Sequence, residues 1–344
     1  MKVVFSGGRK KTLIFIVTNV LSLACLWWVL HDQRWSEFWD DIRTLQWRWV
    51  ALAVAADIAV YIFQGWRWSL LLKPVDKIPV WRSVRAVYVG LFANEILPFR
   101  AGELIRCYLQ AEWSKVPLTV SFSSAIVERV FDGFWLVTGL GLAGLLVPGM
   151  PRFVLEGAAV LGVFVAAAGL LLALAMFHKH RMHRMLKKTG WQRHILILIE
   201  DLYVIGHSRY LYYSALMSIP YLLLQVIPFY AMMRAYGFVD YSLGTASLIM
   251  VVMRLSSVVP QAPGNVGTFQ YLLSQILIML QYGSAYAKRF SFIMWAAITL
   301  PLLIVGSIAL VVTGARIDEL HRQARAELPI LKDQEEKPAD IGAH

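Results

Sequence analysis

The chain has 344 residues, of which 58% are hydrophobic and 16% charged, with a mean hydropathy of +0.58 and a formal net charge of +11. So few polar residues cannot cover a soluble domain, and the composition is that of an integral membrane protein. The positive balance does not point to nucleic acid. Lys179, Arg181, Arg184, Lys187, Lys188 and Arg193 sit within sixteen residues, and the chain ends carry further Lys and Arg, as the cytoplasmic segments of membrane proteins do.

In chain order, Lys2, Arg9, Lys10 and Lys11 precede an apolar run that continues through Leu30. That length predicts an uncleaved first span over residues 13–30, although the start imitates a signal peptide and Leu23-Ala24-Cys25 faintly imitates a lipoprotein site. Residues 31–46 hold Asp32, Glu37, Asp40 and Asp41 against Arg34 and Arg43, and are expected outside. Further spans are predicted over residues 50–72, 118–147, 154–177, 211–234 and 290–312, each near or above the ~20 residues that cross a hydrocarbon core. Residues 178–209 form a basic cytoplasmic segment, in which 191–206 suits an amphipathic helix on the inner surface. Residues 316–344 form a charged cytoplasmic tail beyond a membrane domain over residues 1–315.

Two apolar segments are broken at their centres, by Pro98-Phe99-Arg100-Ala101-Gly102 and by Pro260-Gln261-Ala262-Pro263-Gly264. One displacement of 162 residues carries Pro98 onto Pro260, Gly102 onto Gly264 and residues 50–72 onto 212–234. The arms, 81–97 with 104–113 and 243–259 with 266–281, are short or polar and are read as re-entrant. The fold class is therefore an all-α polytopic membrane protein with about six spanning helices and two re-entrant broken hairpins. Repeat units near 48–147 and 210–312 run in opposite senses. Paired interruptions in two halves point to a transporter binding site.

The first break is charged: Asn94, Glu95, Pro98, Arg100, Gly102, Glu103 and Arg106, followed by Glu128, Arg129 and Asp132 in the next span. Glu128 lies ten residues into its apolar stretch, about 15 Å deep at ~1.5 Å per residue. Charges at that depth need pairing or water. Two roles fit them. The guanidinium groups either neutralise the acids and lock the hairpin, or hold a lipid phosphate in bidentate fashion.

At the second break, Pro263-Gly264-Asn265-Val266-Gly267 opens a helix whose free N–H groups make a generic anion site, or else a tight turn. Arg254 is either a snorkelling cation in a shallow arm or an anion contact in a cavity. Asp57, Gln64 and Gln225 are read as helix-packing hydrogen-bonders. Trp27, Trp28, Trp47, Trp49, Trp66 and Trp68 are read as interface anchors. His178, His180, His183 and His194 are read as solvated. Two distant cysteines, Cys25 and Cys107, suggest neither disulfide nor metal. No P-loop, dinucleotide fingerprint, zinc spacing or Gly-x-Ser-x-Gly elbow occurs, so no catalytic residue, metal or cofactor is expected.

The run from Asn94 to Arg106, the segment Glu128-Arg129-Val130-Phe131-Asp132 and the stretch from Pro260 to Gln270 together resemble the lysylphosphatidylglycerol synthase transmembrane-region family, the flippase-like domain of multiple peptide resistance factors. The resemblance implies a multi-span fold with paired re-entrant helices and movement of an aminoacylated phosphatidylglycerol between leaflets. By motif it implicates Asn94, Pro98, Arg100, Gly102, Glu103, Arg106, Glu128, Arg129, Asp132, Pro263, Gly264 and Gly267. Asn265 after Gly264, and Gln270 where the family carries an acid, depart from its third motif. With no aminoacyl-transferase domain here, the chain is not expected to synthesise lysylphosphatidylglycerol.

The expectation is a flippase-like transporter in the inner membrane, with both termini cytoplasmic. It would move a phosphate-bearing lipid or lipid-linked intermediate through a polar cavity at the hairpin tips. The alternative is a membrane-embedded enzyme, or an accessory subunit, of lipid or lipid-linked glycan modification. A partner enzyme and oligomers are compatible with either reading.

Overall fold

A computed structural model describes residues 9–31, 35–97, 101–146, 152–177, 191–238, 242–256 and 262–314. Among these the chain is helical, with no strand. The helices are α1 (Arg9–Leu30), α2 (Trp35–Thr44), α3 (Trp47–Leu72), α4 (Val80–Ile96), α5 (Gly102–Ser114), α6 (Leu118–Leu146), α7 (Arg152–Phe177), α8 (Trp191–Gly206), α9 (Arg209–Tyr236), α10 (Leu243–Ser256), α11 (Thr268–Met279) and α12 (Ser284–Thr313). A 3-10 turn at Pro263–Asn265 precedes α11. Pro98, Arg100, Pro260 and Gln261, with residues 178–190 and 315–344, lie outside the described residues.

Each predicted span is a helix. Among the described residues four stretches, Trp47–Leu72, Ala159–Phe177, Arg209–Tyr236 and Ser284–Thr313, are long and apolar enough to cross a membrane. The protein is thus an all-α polytopic membrane protein. α6 has 29 residues but carries Glu128, Arg129 and Asp132 in its apolar length. Residues 31–46, expected as a loop, contain the amphipathic helix α2.

Local chemistry sets the boundaries. Leu97 ends α4 with extended backbone (φ −93°, ψ 142°), because a following proline disfavours the helical conformation. The Gly102 N–H that opens α5 donates to Asn94 Oδ1 at 2.8 Å, so a side chain before the break caps the helix after it. A Cβ on Gly102 would meet the Gly90 carbonyl oxygen at 1.8 Å, and α4 and α5 can pack this closely only with glycine there. At the second break Gly267 has φ +89°, and a Cβ on it would lie 2.0 Å from the Ser22 carbonyl oxygen of α1.

Helices α3–α6 and α9–α12 pack by one plan. α4 lies against α12 as α10 lies against α6, α3 touches α12 as α9 touches α6, and α3 packs on α9 at the centre. The central pair is antiparallel. Gln46 N donates to the Ala235 carbonyl at 3.1 Å at one end, and Arg67 meets Ser218 at 3.2 Å toward the other. The two groups of helices are thus packed alike, and their first helices run in opposite directions.

Apolar side chains fill one core among α3–α6 and another among α9–α12. Against the reading of 191–206 as a surface helix, Leu196, Ile199, Leu202 and Ile205 of α8 are buried. α8 packs on α6 and α7, so protein rather than lipid receives its apolar face. Of the tryptophans read as interface anchors, Trp27 and Trp47 are well exposed, but Trp68 is fully buried. Its indole N–H donates to Ser124 Oγ at 2.9 Å.

Candidate functional site: an ion ring beside a central cavity

Six charged side chains from α3, α5 and α6 close a ring. Arg67 Nη2 lies 2.9 Å from Glu128 Oε1, and Glu128 Oε2 lies 2.9 Å from Arg106 Nη2. Arg106 Nε donates to Glu103 Oε2 at 2.9 Å, and Glu103 Oε1 accepts from Arg129 Nη2 at 2.8 Å. Arg129 Nη1 donates to Asp132 Oδ2 at 3.2 Å, and Asp132 Oδ1 lies 2.7 Å from Arg67 Nη1. Three guanidinium groups thus alternate with three carboxylates, each between two opposite charges, and the formal charge is zero. Isolated buried charges would carry a large desolvation penalty, which mutual pairing offsets.

The ring is lopsided. Arg67 and Glu128 have side chains with 0% exposure and Arg106 has 2%, against 48% for Arg129, 40% for Glu103 and 22% for Asp132. Its buried side is braced further. The Arg106 guanidinium lies 4.8 Å from the Trp68 ring centre and that of Arg67 4.5 Å from Tyr221. Arg67 also donates to Ser218 of α9, so it links the two repeat units.

On the ring's exposed side lies a cavity of about 200 Å³ to which all eight repeat helices contribute. Its charged lining is Asp57 of α3, Glu95 of α4, Glu103 of α5, Arg129 of α6 and Arg254 of α10, joined by Gln64, Asn94, Gln225, Asn265 and Trp295. Asp57 is buried and its Oδ2 makes no hydrogen bond. Arg254 lines the same cavity as Asp57 and Tyr61. Asp57, Gln64 and Gln225 line the cavity rather than serving only as packing contacts.

The end of α4 meets the 263–265 turn here. Asn265 Nδ2 donates to Glu95 Oε1 at 3.4 Å, and α4 touches the 263–265 turn. Trp295 Nε1 donates to the Gly264 carbonyl at 2.8 Å. Gln270, at the position where the family's acid is expected, accepts the Gly267 N–H at 2.7 Å and so caps α11 itself.

Of the predicted residues, Asn94, Glu103, Arg129, Arg254 and Asn265 face the cavity. Arg106, Glu128 and Asp132 join the ring. Gly102, Pro263, Gly264 and Gly267 shape the breaks. The sequence reading does not single out Arg67, which sits between Trp66 and Trp68, two residues read as interface anchors. The available signal was a charge inside a span, and Asp57 carried the same signal.

The chain matches the family model described as "Lysylphosphatidylglycerol synthase TM region" over residues 15–306. It belongs to that family. A "UPF0104 membrane protein" of Methanothermobacter thermautotrophicus is 22% identical over 290 residues, covering 75% of this chain and 82% of the relative. Another of that description from Methanocaldococcus jannaschii is 27% identical over 145 residues, 38% of this chain and 42% of the relative. A "Glycosyltransferase AglD" of Haloferax volcanii is 37% identical over 65 residues, 19% of this chain and 10% of the relative. No solved structure matches the chain.

Proposed function

We propose that this member of the lysylphosphatidylglycerol synthase transmembrane-region family moves a phosphate-bearing lipid or lipid-linked intermediate between leaflets, with the central cavity as the head-group site. The observation that carries this reading is the cavity's position. It lies between the two units read as an inverted repeat, is lined by every helix of both, and carries both acidic and basic side chains. A site at the interface of inverted repeats can be reached from either side by rocking one unit against the other.

In this reading the guanidinium groups open to a phosphate are Arg129 and Arg254, whereas Arg67 and Arg106 hold the ring. A phosphate entering competes with Glu103 for Arg129. α4, α5, α10 and α11 have 17, 13, 14 and 12 residues, short of the ~20 needed to cross, and are read as re-entrant. Their irregular tips then lie at membrane depth only where they line the cavity. The inner membrane and cytoplasmic termini complete the proposed arrangement.

The test is reconstitution of purified protein into liposomes with lipids of several fluorescent head groups and an impermeant quencher outside. Accelerated loss of the inner-leaflet signal for a phosphate-bearing lipid is expected, and no acceleration for any head group defeats the reading. The short similarity to a relative named as a glycosyltransferase favours a second reading, an accessory role in lipid-linked glycan modification. Product formation without lipid movement would support it.

A further inference from the structure

The ring has a second neighbour. Beside Glu103 and Arg129 also runs an open groove of about 550 Å³ between α5, α6 and α7, walled by Phe122, Ala125, Ile126, Phe164, Val165 and Ala168. Glu103 and Arg129 are the two residues that line both spaces. A polar compartment and an apolar one thus adjoin at one ion pair. That is the division within a lipid, whose charged head and hydrocarbon chain need such surroundings joined at one end.

We propose that this groove seats an acyl chain of the lipid whose head group occupies the central cavity, and that the Glu103–Arg129 contact is the junction that opens to let the two connect. The proposal rests on the head-group reading given above. The ring explains why this contact is the one to open. When Glu103 and Arg129 separate, Glu103 keeps Arg106 at 2.9 Å and Arg129 keeps Asp132 at 3.2 Å, so neither charge is left alone. Both side chains are already partly exposed. The Arg67–Glu128 contact is fully buried, where loss of a partner is severe. The ring is therefore firm on its buried side and separable at the side shared with the groove.

The test uses the full chain in liposomes with two photoactivatable probes, phosphatidylglycerol and diacylglycerol, each bearing the same diazirine-labelled chain. If the groove seats the chain of a head-docked lipid, peptides containing Ala125 and Phe164 label about tenfold more strongly with phosphatidylglycerol, equivalent to about 1.4 kcal/mol. Exposed positions on α12 such as Ile304 and Val311 should label alike with both. Equal labelling of the groove by both probes overturns the proposal, because it is the behaviour of ordinary surrounding lipid.

Ala168→Trp, on the outward face of α7, should fill the groove, abolish the contrast and slow lipid movement about tenfold without changing the melting temperature. Unchanged movement counts against the groove. Glu103→Gln should raise the phosphatidylglycerol contrast by releasing Arg129, and an unchanged or reduced contrast overturns the junction. Lipid movement in wild-type liposomes reports separately on the function. Movement without a head-dependent contrast overturns the groove alone, and absence of movement for every head group overturns the transport reading.

Discussion

The guanidinium of Arg67 on α3 lies 2.9 Å from the carboxylate of Glu128 on α6, and neither side chain is exposed at all. Arg67→Met should therefore leave Glu128 and Asp132 each one partner short in a buried setting, with a loss of about 3–5 kcal/mol in stability. Arg129→Gln, at the ring's partly exposed side, should lose less. Thermal unfolding in detergent compares the two, and equal losses would contradict the asymmetry of the ring.

The ring also changes what a charge reversal can do. Reversing one pair, Arg106→Glu with Glu128→Arg, places a new acid beside Glu103 and a new base beside Arg67. Such a swap should not restore the expression or melting temperature lost in either single variant. Full recovery would mean that Arg106 and Glu128 form an isolated pair rather than two members of a ring.

Since Asn265 reaches Glu95, the two breaks are expected to meet in the membrane as well. Cysteines replacing these two residues, in a Cys25→Ser, Cys107→Ala background, should cross-link with a short bis-thiol reagent. Failure across several reagent lengths in folded protein would argue against the meeting of the tips.

α2 is tied to the start of α12. Arg289 contacts Glu37 and Asp41 at 2.5 Å each, and the Tyr236 hydroxyl donates to Asp41. These elements share one face of the protein, expected to be the outer one. Cysteine at Asp40 should be labelled by an impermeant maleimide in intact cells, and cysteine at Lys115 only after permeabilisation. The reverse pattern would invert the proposed orientation.

Asp201 on α8 has Oδ2 buried without a hydrogen bond. Burial pushes its carboxyl above the usual range. The folded state therefore holds this proton more tightly than the unfolded chain. The stability it contributes is fully present below the unfolded value of about 3.9 and is lost as pH rises through the higher folded value. Asp201→Asn should flatten that part of the pH–stability profile. A wild-type profile rising with pH across the same window, with no change on substitution, would refute the assignment.

The sequence by itself determined the membrane class, the long apolar helices and the two Pro/Gly interruptions, because these depend on local signals. Apolar run length sets the spans, proline dictates the conformation before it, and a displacement of 162 residues is visible in the residues themselves. It also drew attention to Glu103, Arg106, Glu128, Arg129 and Asp132 through the cost of charge at membrane depth. Only the tertiary structure decided how those charges are partnered. Arg67 comes from a helix far earlier in the chain, and the packing of α3 on α6 and α9 brings it to Glu128, Asp132 and Ser218. The same packing places Arg254 and Asp57 on one cavity, and gives Glu103 and Arg129 a face toward both the cavity and the groove. Ion pairing depends on distances of a few ångströms between residues with no fixed spacing along the chain, so no motif encodes it.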